Sequence, residues 1–217
     1  MRPIIVTAGP LTSASATNIR TASGVAGAGN LTLNGSLVTA GVAILDAARR
    51  ILFTTTANET TKTILLAGTN WAGDLISETV TLVNASTVAS VLDYKTVTSA
   101  YCSATLTGNL SIGTNGVASS PWVMFDSWAS PAIALQVAVS GTANYTVQQS
   151  LDDPNDPTNP VAAASMAWVN SSDTNVVSVA ATAQSNYAFA PRYARILLNS
   201  GSGTATATFI QAESVSL

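Results

Sequence analysis

The densest group of chemistry-capable side chains is the run Leu151-Asp152-Asp153-Pro154-Asn155-Asp156-Pro157-Thr158-Asn159-Pro160, with three aspartates and two asparagines inside eight residues. Hard cations such as Ca²⁺ need several oxygens converging on one point, and such a run could supply them. The ligand order and central glycine of an EF-hand loop are missing. Turn chemistry accounts for the same residues. Proline fixes φ, and Asp and Asn side chains accept hydrogen bonds from main-chain N–H groups two residues on. The turn reading is preferred, so no metal and no cofactor is assigned. Asp152, Asp153 and Asp156 are the residues that would serve if a cation were held. A second group places Asp126 between Trp122 and Trp128, aromatics that could line a sugar site or serve as core or interface anchors.

Other chemistries are removed by composition. The 217 residues include no histidine, which excludes Ser-His-Asp and Cys-His catalysis, histidine metal sites and a histidine pH switch. The lone Cys102 cannot form an intrachain disulfide or a cysteine zinc site, and alternation within its segment suits a small buried hydrophobe. Eleven acids, most of them in turn-rich stretches, form no nucleophile–base–orienter set, so the expectation is a protein that is not an enzyme. Six Arg and two Lys against a net charge of −3 give no basic stripe for nucleic acid. Arg49-Arg50 reads as a solvated turn or an intersubunit ion pair, and Arg192 and Arg195, flanking Tyr193, as strand-face packing. The three-residue apolar run at the N-terminus is too short for a signal peptide, and no apolar stretch is long enough to span a bilayer as a helix.

The elements that must position these residues read as strands. Charged residues are only 9% of the chain while Ser and Thr number 54, and the usual surface helix formers Lys and Glu are nearly absent. Segments 51–56, 62–69, 75–82, 94–100 and 103–111 alternate with turn signals in a meander. The stretch 39–50 is compatible with a short helix, but its neighbours favour strand. The small polar run 112–121 is the linker candidate. Beyond it, 133–139 and 145–150 around Ser140-Gly141-Thr142-Ala143, and 193–199 and 204–211 around Ser200-Gly201-Ser202-Gly203, read as two hairpins. The expectation is an all-β protein of two β-sandwich or jelly-roll-like domains, 1–120 with an extended N-terminal arm and 121–217. The arm, before Asn30, is expected to order only against a partner.

Few charges, many small neutral residues and many strand edges suit a chain whose surface is covered by other subunits. The runs Ala48 to Thr56, Ile64 to Thr69, Gly73 to Val80 and Tyr94 to Ser99, with Tyr145 to Asp156, Trp168, Pro191 to Ile196 and Thr204 to Gln211, resemble virion structural proteins of tailed bacteriophages. The resemblance covers most of residues 42–211, with Asn70-Trp71-Ala72 in place of the more usual polar turn. It implies a non-enzymatic particle component made in the host cytoplasm, and brings no catalytic or binding residues. The favoured expectation is a capsid decoration (cement) protein at the capsid surface. Its partners would be the major capsid protein and other virion proteins, its state a homo-oligomer (trimer or dimer), with no nucleic acid and no membrane. A neck or tail protein at the portal vertex and a carbohydrate-binding host-recognition module are the alternatives. The partner-contact candidates are Trp71, Trp122, Trp128, Asp152, Asp153, Asn155 and Asp156.

Overall fold

The computed structural model describes residues 3–126 and 132–211; Trp128 lies outside them. The protein is all-β, with only two single-turn 3₁₀ helices, Ala163–Ser165 and Thr174–Val176, among the described residues. No helix among them is long and apolar enough to cross a membrane. The chain divides into two compact units. One is Thr12–Gly116, and the other is built from the chain up to Leu11 and again from Val117.

In the Thr12–Gly116 unit, antiparallel strands Val42–Thr55, Thr87–Cys102, Thr63–Thr69 and Leu75–Thr81 lie side by side in that order, with the strand beginning at Leu110 beside Val42–Thr55. Thr63–Thr69 and Leu75–Thr81 form a regular hairpin from Thr63–Thr81 to Thr69–Leu75. Period-two alternation buries Ile64, Leu66, Ile76 and Val80, and Leu45, Ile51, Phe53, Tyr94 and Val97 are buried in the same unit. The ambiguous stretch at 39–50 is strand from Val42 onward, in one long element with the segment after it.

The linker candidate 112–121 is a correction. Most of it is strand, Leu110–Ser119, with Leu110 and Ile112 buried. Of its two glycines, Gly113 marks a close approach and not slack, since a Cβ there would lie 1.9 Å from the carbonyl oxygen of Ser15. The crossings between units fall at 11/12 and 116/117. The N-terminal segment is also strand, Ile4–Ala8 and Ser15–Ser23. Ile4–Ala8 is held by antiparallel pairing with Thr204–Gln211 and by Ala8 in the core.

The other unit is a sandwich. One sheet has the order Ile4–Ala8, Thr204–Gln211, Ile133–Ser140, Ala183–Tyr187. In the second, Ala143–Ser150 lies between Val169–Asn170 and Tyr193–Gly201, and Val123–Met124 pairs with the far side of Tyr193–Gly201. Both expected hairpins are therefore corrected. Ile133–Ser140 pairs with Thr204–Gln211, and Ala143–Ser150 pairs with Tyr193–Gly201, so each turn carries the chain from one sheet to the other. The two turns are bonded to each other. The Gly203 N–H donates to the Thr142 carbonyl at 2.7 Å, and Gly141 adopts φ 73°. A glycine turn between alternating segments serves a hairpin or a sheet-to-sheet corner equally well. The core lies between the sheets, with Ile133, Leu135, Val137 and Phe209 from one and Tyr145, Val147, Ile196 and Leu198 from the other.

Candidate functional site

The aspartate run begins the long excursion from Ser150 to Ala183, and its carboxylates fold that excursion. Asp152 Oδ2 accepts from the Ala167 N–H at 2.6 Å. Asp153 Oδ1 accepts from the Asn155 N–H at 2.8 Å and the Tyr193 hydroxyl at 3.3 Å, while Oδ2 takes the Arg192 Nε–H at 2.5 Å. Asp156 Oδ1 accepts from the N–H groups of Thr158 and Asn159, both at 2.8 Å. Burial pushes the Asp153 carboxyl up, but the Asn155 N–H, Arg192 and Tyr193 outweigh it and hold it below the usual carboxylate range. For Asp156 the Asn159 and Thr158 N–H groups act in the same direction. The three carboxylates thus accept from separate main-chain N–H groups, those of Asp153 and Asp156 in local turns and that of Asp152 across the excursion, and no group of three His, Cys, Asp or Glu among the described residues is arranged to hold a metal ion.

Trp122 packs on Trp168, with ring centroids 5.1 Å apart, and on Tyr193 at 6.1 Å. Asp126 is held through its main chain, which exchanges two hydrogen bonds with the Gln211 side chain. Trp168 covers Arg195, whose guanidinium lies 4.2 Å from the indole centroid and donates from Nε to Gln148 Oε1 at 3.0 Å. Arg195 is thereby buried on the sheet face as strand-face packing, and Arg192 is tied to Asp153. Asn155, exposed, reaches the Tyr193 hydroxyl at 3.4 Å. The structure therefore brings Trp122, Asp153 and Asn155 together around Tyr193. Trp71 belongs to the Thr12–Gly116 unit, half-buried in a turn that Asn70 closes by accepting from the N–H groups of Ala72 and Asp74.

Four charged residues of the Thr12–Gly116 unit, Arg20, Arg49, Glu59 and Asp93, are buried. Arg49 is 1% exposed, which corrects the solvated-turn reading of that residue. Arg50 reaches Asp93 within its own chain, Nε to Oδ1 at 3.5 Å. Arg20 is buried and donates to the carbonyls of Leu110, Ser23 and Gly24. Glu59 is buried and accepts from Lys62 Nζ at 2.6 Å and from the N–H groups of Thr107 and Gly108 at 2.7 and 2.8 Å. Burial raises the Glu59 carboxyl, but Lys62 and the two N–H groups hold it below its ordinary value. These groups replace main-chain bonds that irregular loops cannot supply.

Most of what remains on the outer sheet faces is neutral. In the four-stranded sheet the outward rows are Ile5–Thr208–Gln136–Gln184, Thr7–Thr206–Ala138 and Ile210–Ala134–Asn186. In the Thr12–Gly116 unit they include Thr79–Leu65–Tyr101, Ser77–Ala67–Ser99 and Leu75–Thr69–Thr96–Ile44, with the exposed Asp46 two residues beyond Ile44 on the same strand. No row contains a charged residue. Ile5, Ile44, Leu65, Leu75 and Tyr101 are all exposed. These rows were missed as candidates, although alternation in each strand carried the signal: its outward positions read Thr, Ser, Ala and an occasional large apolar residue. Compared with protein-family models, with curated proteins and with solved structures, the chain matches none.

Proposed function

We propose that the chain is a non-enzymatic structural subunit that works by burying neutral sheet faces, and that it serves as a capsid decoration (cement) protein of a tailed-bacteriophage particle. One observation carries the first part. The four-stranded sheet presents an outer face without a charged residue and the Thr12–Gly116 unit presents neutral outward rows, while Arg20, Arg49, Glu59 and Arg195 are buried. Protein interfaces are depleted in charge at their centres, and a neutral face loses little solvation when covered. Two such faces on one chain would add two weak contacts into one strong attachment. The capsid assignment rests on the resemblance in the sequence. Counting copies per purified particle against the major capsid protein, by quantitative peptide mass spectrometry, tests it. Hundreds of copies in simple ratio support decoration. On the order of six to twelve, as in a cyclic ring, would move the chain to the neck or tail, and absence would discard both.

A second reading, a carbohydrate-binding module, is favoured by the half-buried Trp122–Trp168 pair beside Asp153 and Asn155. Saturable glycan binding that disappears in Trp122→Ala with the fold intact would establish it.

A further inference from the structure

The chain enters the Thr12–Gly116 unit at Thr12 and leaves it at Gly116, and one side chain holds both places. Arg49 donates from Nη1 to the Thr12 carbonyl at 2.9 Å and its hydroxyl at 3.2 Å, and from Nη2 to the Asn115 carbonyl. Asp46 completes the grip. Its Oδ2 accepts from the Thr12 N–H at 2.6 Å and hydroxyl at 2.8 Å, and it pairs with Arg49 at 3.2 Å. Lys95 Nζ fixes the Asp46 carbonyl at 3.1 Å. Every polar atom of Thr12 is therefore engaged.

The main chain does little of this work. The strands that begin and end the unit pair only at Ser15–Thr114, Arg20–Ile112 and Ser23–Leu110, with the register shifting between successive pairs. A ladder broken this often leaves the crossings to side-chain bonds. A guanidinium suits the task because its fixed fork addresses two carbonyls in different directions, which a single ammonium does not.

We propose that Arg49 is a latch on both crossings. Oriented by Asp46, it keeps Thr12 and Asn115 closed on each other, and its loss opens those two segments while the body of the unit stays folded. The latch is independent of what the outer faces bind. Hydrogen–deuterium exchange of the full chain tests it, comparing wild type with Arg49→Lys and Asp46→Asn. The expected result in Arg49→Lys is at least a tenfold faster exchange, on the order of one hydrogen-bond equivalent, in peptides covering 10–15 and 113–117. A smaller rise in the same two segments is expected in Asp46→Asn, with peptides covering 51–53 and 64–66 unchanged in both. Unchanged exchange, a rise at one crossing only, or a uniform rise through 12–116 would each overturn the latch, the last by making Arg49 an ordinary core residue. If Arg49→Lys does not fold, the two-segment pattern in Asp46→Asn decides the matter alone.

Discussion

The two units fix their irregular segments by different means. In Thr12–Gly116 the fixing groups are ionic and buried. Arg49 and Arg20 tie the first and last strands of the unit, and Glu59 with Lys62 ties the 103–109 loop. In the sandwich, neutral turns bonded to each other carry the strands between sheets, and aspartates at partly exposed positions shape the excursion 151–182. The difference teaches where a chain with so few charges uses them. They serve the backbone, and the outer sheet faces of both units are left largely to neutral side chains.

The comparison predicts unequal sensitivity. Arg49→Met would strand the Asp46 carboxylate and the carbonyls of Thr12 and Asn115, and is expected to weaken closure of the segments 10–15 and 113–117 by about 3–5 kcal/mol while the body of the Thr12–Gly116 unit stays folded. Hydrogen exchange in those two segments would measure it, with Ile51 and Ile64 as the unchanged reference, and a loss below about 1 kcal/mol would mean that the buried charge is dispensable. Glu59→Gln should cost about 1–3 kcal/mol by weakening the acceptor for Lys62, Thr107 and Gly108.

The pH dependence has a definite sign. Asp46, Glu59 and Asp153 all have carboxyls held below their ordinary values in the folded chain. At Asp46, as at the other two, burial acts upward and is outweighed, here by the Thr12 N–H and hydroxyl and by Arg49. Their stabilisation is therefore full above the ordinary carboxylate range, roughly pH 4, and is lost as pH falls through the depressed values. Acid titration of stability should show this limb, and Glu59→Gln should flatten it. Glu78 runs the other way. Burial raises its carboxyl more than the Val91 and Leu92 N–H groups lower it, so its contribution improves as pH falls.

On the sandwich side the effects should be smaller. Trp168→Ala uncovers Arg195 and is expected to cost about 1–2 kcal/mol, and Asp153→Asn about 1 kcal/mol. Loss of the Arg192 and Tyr193 bonds should loosen 152–161 without moving the core. Thermal denaturation together with exchange in that segment checks both. Smallest of all, Thr79→Lys and Gln136→Glu on the outer faces should change stability by no more than about 0.5 kcal/mol while abolishing attachment to a partner surface.

The β character, the alternation and the Thr63–Thr81 hairpin were legible in the sequence because local period and turn residues determine them. Sheet membership was not. The segments at 133–140 and 143–150 carry the signal of a hairpin, and only the choice of Thr204–Gln211 and Tyr193–Gly201 as partners, made at long range, turns them into a corner. The aspartate run was legible as turn chemistry. The burial of Arg49 was not, because its partners Thr12 and Asn115 are distant in sequence and carry no formal charge at the bonded atoms. Trp168 likewise gained its meaning from Trp122 and Arg195, brought together only by the sheet.

The most direct test of the central claim is hydroxyl-radical footprinting of the chain, free and in the purified phage particle that the proposed decoration role requires. The account predicts strong protection of Ile5, Ile44, Leu65 and Tyr101 in the particle, with Trp122 and Trp168 labelled alike in both states. Unchanged labelling at those four positions, with protection at the tryptophans instead, would contradict it.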